Sequence, residues 1–574
     1  MAELLLIAKF LAFFGLVHAT LILPGYAIIK QLRWFTEHDL QLVFSYGISM
    51  LLYAGLALLH FAVGFSIWAI ELVAVAGLAA SVWVVFRQGL ELRRFVTLPF
   101  IALVVMSATS LAWVSLPLHR ADGYIPDPTP RAGRNYNVFN VKILNLAHTP
   151  ANDNYIPFRQ AQFFVNRMSI ANDSFISEWD VNFFYRTPLM GAVTAFYYEL
   201  LHEQIPRPYL WATPTGYHGH VYEQFQILAQ ILNSLFIVPA YLLLTALFRK
   251  RLAQLTVLFL VFSPFFLYNS FFSWPKSLVA YFILCSWILL RRRERPILVG
   301  AFSGMAYLVH DLSILYLAGS VVYLLVQRAW GYLAKMGVVL AALALPWLVL
   351  ARLVFHQTSL FFYYPFSLNE IPSDPSHVIA DFFHTPLKTI VSIKLRAVYD
   401  LLAHLELRHW LTNQWRTYVW ADTLTTIPGA IGLTLFPFAY VEVARKLRRD
   451  WRILLPMVIT PLAVLFVMLG RPKSLGIGAM HFAEALVPIL TAYGVSWLAR
   501  WSRWLMTAVF ASIVMSYYFM VGFSYDFDFT GWTSAVSVAT ITFAVACQLI
   551  MIYLFVAVVF ERYPRNRWLA RLLA

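Results

Sequence analysis

"KSLVAYFILCSWILLRRRERPILVGAFSGMAYLVHDLSILYLAGSVVYLLVQR", residues 276–328, is three apolar runs set off by basic punctuation. Arg291–Arg295 ends the first run, His310 and Asp311 divide the second from the third, and Arg328 closes the set. The runs are helix-forming apolar segments of bilayer scale. The pair around His310 is short for a bilayer crossing, but both members must cross if Arg291–Arg295 and Arg328 are to lie on one side.

The same alternation runs through the chain. It has 574 residues, 60% hydrophobic and 12% charged, with a mean hydropathy of +0.68. A water-soluble protein cannot hide that much apolar surface, so the sequence predicts an all-α polytopic membrane protein. Apolar runs fall near 4–28, 40–62, 65–86, 97–116, 224–248, 253–272, 276–290, 297–310, 312–327, 336–355, 424–443, 453–470, 482–499, 504–523 and 533–560, which predicts about 15 spans. The first run is too long for a signal-peptide core and lacks a basic start, so it reads as a span. The 43 Lys+Arg against 28 Asp+Glu give a net charge of +15. Nucleic-acid binding is excluded as the reason, because the cations sit in short clusters between apolar runs. Threading the spans puts Lys30/Arg33, Arg87/Arg93/Arg94, Arg249–Arg251, Arg291–Arg295, Arg328/Lys335, Arg445–Arg452, Arg500/Arg503 and the tail on one face, the cytoplasmic one, with the C-terminus cytoplasmic. The two cysteines, Cys285 and Cys547, lie inside apolar runs and argue against a disulfide or metal framework. Organisation follows as a three-span module over 1–94, a core over 95–500 and C-terminal spans with a basic tail over 501–574. Residues 117–223 and 356–423 are long segments on the outer face, with short amphipathic helices expected along the membrane surface.

Polar residues gathered at the outer ends of spans are the informative ones, because ionisable groups at that depth are costly and mark functional sites. Asp153 and Asp122 lie in the first outer segment. Lys276 follows Trp274 and Pro275, and reads either as an interfacial anchor or as an anion ligand. Arg471 and Lys473 sit outside against the positive-inside pattern, which favours anion binding, and His481 follows them. His310–Asp311 reads as a helix-junction cap or as a substrate contact. "HGHVYE" carries His218, His220 and Glu223 at donor-rich spacing; with no further ligand identifiable, hydrogen bonding to substrate is preferred over a metal. Arg186 reads as an anchor or an anionic-headgroup contact. No metal and no cofactor are expected.

Cations converging on a phosphate at the outer surface, with a carboxylate above it, fit glycosyl transfer from a lipid phosphate. The carboxylate takes the proton of an acceptor hydroxyl, the oxygen attacks the anomeric carbon, and Lys or Arg neutralises the departing phosphate. A phosphate leaving group needs no separate general acid, so one carboxylate suffices where glycosidases pair two. A transporter, flippase or polymerase of lipid-linked glycans would also use these spans and cations. A carrier favours mid-membrane charges and related halves, and no internal repeat is visible.

Over roughly 95–500 the organisation resembles the GT-C superfamily of integral-membrane glycosyltransferases, which includes bacterial aminoarabinose transferases and protein O-mannosyltransferases. "NDNYIPFRQAQFFVNR" resembles the acidic start of the family's first outer "jaw" helix, which implies Asp153 as catalytic base. Many relatives carry Asp-Glu there; this chain has Asp153-Asn154, so Asp122 stands as the substitute. "FFYRTPLMGAVTAFYYEL" resembles the next jaw helix, and "FFSWPKSLVAYF" the outer pattern that implies Lys276 on the donor phosphate. "GRPKSLGIGAMHFAEALVPIL" is similar to the late donor-side loop, which implies Arg471, Lys473 and His481 there. The resemblance implies an inverting transferase in the bacterial inner membrane, with its active site on the periplasmic face. Its partners would be a polyprenyl-phosphate-linked sugar, a hydroxyl-bearing lipid, glycan or protein acceptor, and membrane lipids.

Overall fold

The computed structural model describes residues 2–64, 66–88, 97–116, 156–167, 187–202, 220–271, 275–353, 363–368, 376–403, 426–468, 483–524 and 532–560. Every regular element among them is helical. In chain order they are α1 (Ala2–Gln31), α2 (His38–Val63), α3 (Ile67–Gln88), α4 (Leu98–Val114), α5 (Ile156–Val165), α6 (Leu189–Leu200), α7 (His220–Ser234) and α8 (Ile237–Leu247). Next come α9 (Lys250–Val261), α10 (Pro264–Phe271), α11 (Lys276–Arg292), α12 (Pro296–Val309), α13 (Ile314–Val326), α14 (Trp330–Leu353), α15 (Ser376–His384) and α16 (Leu387–Leu402). The chain closes with α17 (Ile427–Ile431), α18 (Phe436–Leu454), α19 (Thr460–Met468), α20 (Val487–Trp501), α21 (Arg503–Ser524) and α22 (Ala535–Phe560). A 3-10 turn, Asp311–Ser313, separates α12 from α13, and a π-helical turn, Leu455–Ile459, joins α18 to α19.

Eight helical stretches among the described residues are long and apolar enough to cross a membrane, or nine if the bent pair α9–α10 is one span. Their outer faces carry Trp68, Leu72, Phe86, Val338 and Met515, with Phe86 81% exposed. Such surface needs lipid around it, and the chain is a helical integral membrane protein. The sequence count of about fifteen is not reached by this measure. The runs near 97–116, 297–310 and 312–327 form helices below 18 residues, and those at 424–443 and 453–470 join into one stretch, Phe436–Met468, kinked at Asp450. Enclosed helices are held by neighbouring protein, so their lengths need not match the bilayer.

Side-chain contacts gather several of the basic clusters at one end of the bundle; Arg93, Arg94 and the basic tail lie outside the described residues. Arg292 pairs with Glu37 at 2.6 Å, joining the end of α11 to the α1–α2 turn. Arg291 donates to the Ala246 carbonyl of α8, Arg251 to the Val559 carbonyl of α22, and the Tyr332 hydroxyl to the Glu294 carbonyl. Glu442 of α18 is fully buried there and takes Lys446 at 2.9 Å, Arg445 at 3.0 Å and a two-point contact from Arg500 of α20. A carboxylate so deep is tolerable only with its lone pairs engaged by cations. Away from that end, α2 is fastened to α11 by Tyr281, whose oxygen accepts from the Gly47 N–H and donates to the Val43 carbonyl.

Candidate functional site

At the end of the bundle opposite the basic clusters, α5 and α6 pack against each other and against the ends of α2 and α7. The contact is close because position 191 is glycine: a Cβ there would stand 2.4 Å from the Gln160 Cβ. Phe61 of α2 meets Phe163 and Phe164, while Phe158 meets Phe225 of α7. On α6, Phe196 stacks on Tyr53 with centroids 4.0 Å apart, and Tyr197 shares a 2.7 Å hydrogen bond with Thr20 of α1. The sequence reading expected surface helices here; instead α6 is buried from Leu189 to Glu199. Its only charged residue is Glu199, so it has no polar face to offer a membrane–water boundary.

These two helices bring their first turns to a narrow cleft. Ile156, Pro157 and Gln160 line one wall with Thr187; Pro275, Val309, His310 and Asp311 line the other. Lys276 opens α11 directly after the lining proline and is only 4% exposed. Its charge acts on the carboxylate of Glu484, which is buried in the turn before α20. His310 has extended backbone between α12 and the 3-10 turn; its Nδ1 lies 3.0 Å from Asp311 Oδ1 and 3.3 Å from the Leu312 N–H. An Nδ1–H donating to Asp311 leaves Nε2 as an acceptor, whereas the other tautomer caps Leu312. The junction-cap reading and the site reading therefore describe the same residue: the cap geometry sets the ring at the cleft wall.

Of the sequence-predicted site residues, the structure sets His310 and Asp311 in the cleft wall, and Lys276 is buried next in the chain to the lining Pro275. Asp153, Asp122, Arg186, His218, Arg471, Lys473 and His481 lie outside the described residues, and only the backbone of His220 and Glu223, in the first turn of α7, is within them. Among the described residues no three His, Cys, Asp or Glu side chains are grouped to hold a metal ion. No family model, no curated protein and no solved structure matches the chain.

Sequence reasoning missed several polar groups at this end. Gln160 and Gln162 are both buried on α5, on different faces, and two glutamines within one short, largely apolar helix were the available signal. Glu199 sits 3.9 Å from His60 of α2, and burial, reinforced by Glu71 of α3, pushes its carboxyl up to about 8. Lys394 of α16 is buried and donates to the carbonyls of Pro365 at 3.1 Å and Val467 at 2.5 Å, the latter at the end of α19. Burial brings its ammonium down to about 8. Neither position stands out in the sequence, because their depth comes from distant helices.

Proposed function

We propose that the chain is a membrane glycosyltransferase of GT-C type, moving a sugar from a polyprenyl-phosphate donor to a hydroxyl of a lipid, glycan or protein. What supports the reading is one juxtaposition: a buried cation, Lys276, directly follows the lining Pro275 of a cleft built from the first turn of α5 and the His310–Asp311 junction. Asp153 stands three residues ahead of Ile156, the first residue of that turn. In this reading Asp153, with Asp122 as the alternative, removes the acceptor proton; Lys276, with Arg471, Lys473 and His481, holds the donor phosphate; and His310 and Asp311 orient the sugar. His218, His220, Glu223 and Arg186 serve binding. The basic end is cytoplasmic, C-terminus included, the cleft faces the periplasm of a bacterial inner membrane, and the shorter apolar helices complete a set of about fifteen crossings.

The test incubates purified protein in detergent with a series of polyprenyl-phospho-sugars and a membrane-lipid extract, and follows free polyprenyl phosphate. Wild type is expected to release it, Asp153→Asn to lose release, and Lys276→Ala to weaken donor use with the fold retained. Turnover untouched by Lys276→Ala would remove the phosphate assignment. Vectorial movement of a lipid-linked sugar without release would replace the transferase with a carrier.

A further inference from the structure

A second cavity lies at the basic end, between α11, α13 and the π-helical turn, and it encloses about 590 Å³ with its open mouth. Arg291 and Arg452 stand at its rim, Tyr323 and Gln327 add polar groups, and Trp287 and Met457 belong to an apolar floor. No carboxylate is among the described residues that line it. The two arginines reach it from opposite walls for separate reasons. Arg291 occupies the last turn of α11, whereas Arg452 follows the non-helical Asp450 that kinks α18.

The cavity is a product of local backbone irregularity. At Gly319 a Cβ would stand 2.0 Å from the Pro456 carbonyl oxygen, so α13 touches the π turn there and only glycine permits it. The turn closes with the Thr460 N–H on the Leu455 carbonyl, and the Thr460 hydroxyl donates to the same oxygen. Wider than an α-helix, such a turn swings the adjoining side chains outward, and π-bulges of this kind recur at functional sites. Adjoining the lining residues in the chain, Val326 of α13 and Ile459 of the turn are exposed apolar side chains. The approach to the arginines therefore runs along surface suited to hydrocarbon.

We propose that this cavity binds an anionic phospholipid: Arg291 and Arg452 hold the head-group phosphate, and an acyl chain lies on the apolar floor. Planar guanidinium groups suit phosphate oxygens, and basic pockets between membrane helices bind anionic head groups in this way. Arg291 spends one N–H on the Ala246 carbonyl and has four further donors. A free soluble phosphate would use the same arginines but has no use for the floor or the apolar approach. The assignment is independent of the chemistry at the opposite end.

The test uses delipidated full-length protein in neutral detergent, with native mass spectrometry to read retained phosphatidylglycerol against phosphatidylcholine of the same chains. Phosphatidylglycerol is expected to bind at least tenfold more tightly. Arg452→Gln, at an exposed position that leaves folding intact, is expected to erase most of that preference, and Met457→Trp to block both lipids by filling the floor. Arg448→Gln with Arg449→Gln, which removes basic charge outside the cavity, should leave the preference standing. Equal retention of the two lipids by wild type, an unaffected Arg452→Gln, or an equal loss in the Arg448/Arg449 variant would each overturn the site. Displacement of phosphatidylglycerol by inorganic phosphate at the same concentration would overturn the lipid and assign a soluble phosphate.

Discussion

Among the described residues, the basic end of the bundle carries many charges, most of them in water, whereas the opposite end carries fewer, several of them buried. Arg292 and Glu37 are 33% and 55% exposed at the side chain; Lys276, Glu484, Asp311 and Glu199 are all nearly inaccessible. Number and energetic weight thus run in opposite directions. A solvated pair is screened and costs side-chain entropy to hold, while a buried group is stabilised only by what the fold aims at it. The contrast teaches that depth, not charge density, decides where a substitution matters.

Glu442 is where that rule meets its hardest case, since it lies at the crowded end yet is fully buried. Glu442→Gln is expected to cost about 3 kcal/mol, because it strands cations aimed at a site that no longer answers them. A shift in thermal unfolding no larger than that of a surface variant would mean that crowding, and not burial, sets the scale.

The next largest effects are expected at the sparse end and are read through pH. Glu199 keeps its proton in the folded state up to about 8, against an ordinary 4.5 when unfolded. Between those values the folded chain holds the extra proton, so stability falls as pH rises through the window. Lys394 has the opposite sign: folded it loses its proton near 8, unfolded near 10.5, so stability rises from pH 8 to 10.5. Melting temperatures of Glu199→Gln and wild type should lie together near pH 5 and separate steadily toward pH 8, as wild type alone loses stability; a constant difference from pH 5 to 9 would place Glu199 in contact with water.

Gly191→Ala sharpens the comparison without touching charge. Its Cβ meets the Gln160 Cβ and the Pro157 carbonyl, so overpacking of about 1–2 kcal/mol is expected, along with a displaced cleft wall. At the foot of the scale, Glu37→Gln removes an exposed partner of Arg292 and should change stability by less than about 0.5 kcal/mol. A loss several times larger would show that the basic end is a cooperative network.

Much of the architecture was legible in the chain because hydropathy is local. Runs such as 276–290 and 297–310 return as helices α11 and α12, and clusters as far apart as Arg251, Arg291 and Arg500 share one end as their alternation with apolar runs required. At the site, Lys276 and His310–Asp311 were visible because a charge interrupting an apolar run is conspicuous. Gln160, Thr187 and Lys394 were not, since each looks ordinary among its sequence neighbours and becomes special only through residues more than a hundred positions away or in another helix.

The sequence by itself therefore determined the helical membrane class, the shared end of basic residues such as Arg251, Arg291 and Arg500, and the helix-breaking polar junctions, all consequences of side-chain transfer energies read along one segment at a time. Only the tertiary structure decided that α6 is buried, that α18 kinks at Asp450 and runs on through a π turn into α19, that Glu442 gathers three cations, and that an arginine-rimmed cavity opens beside Gly319. Those features depend on which helices lie within a few ångströms of one another, and close packing between distant segments is a property that no window of the chain contains.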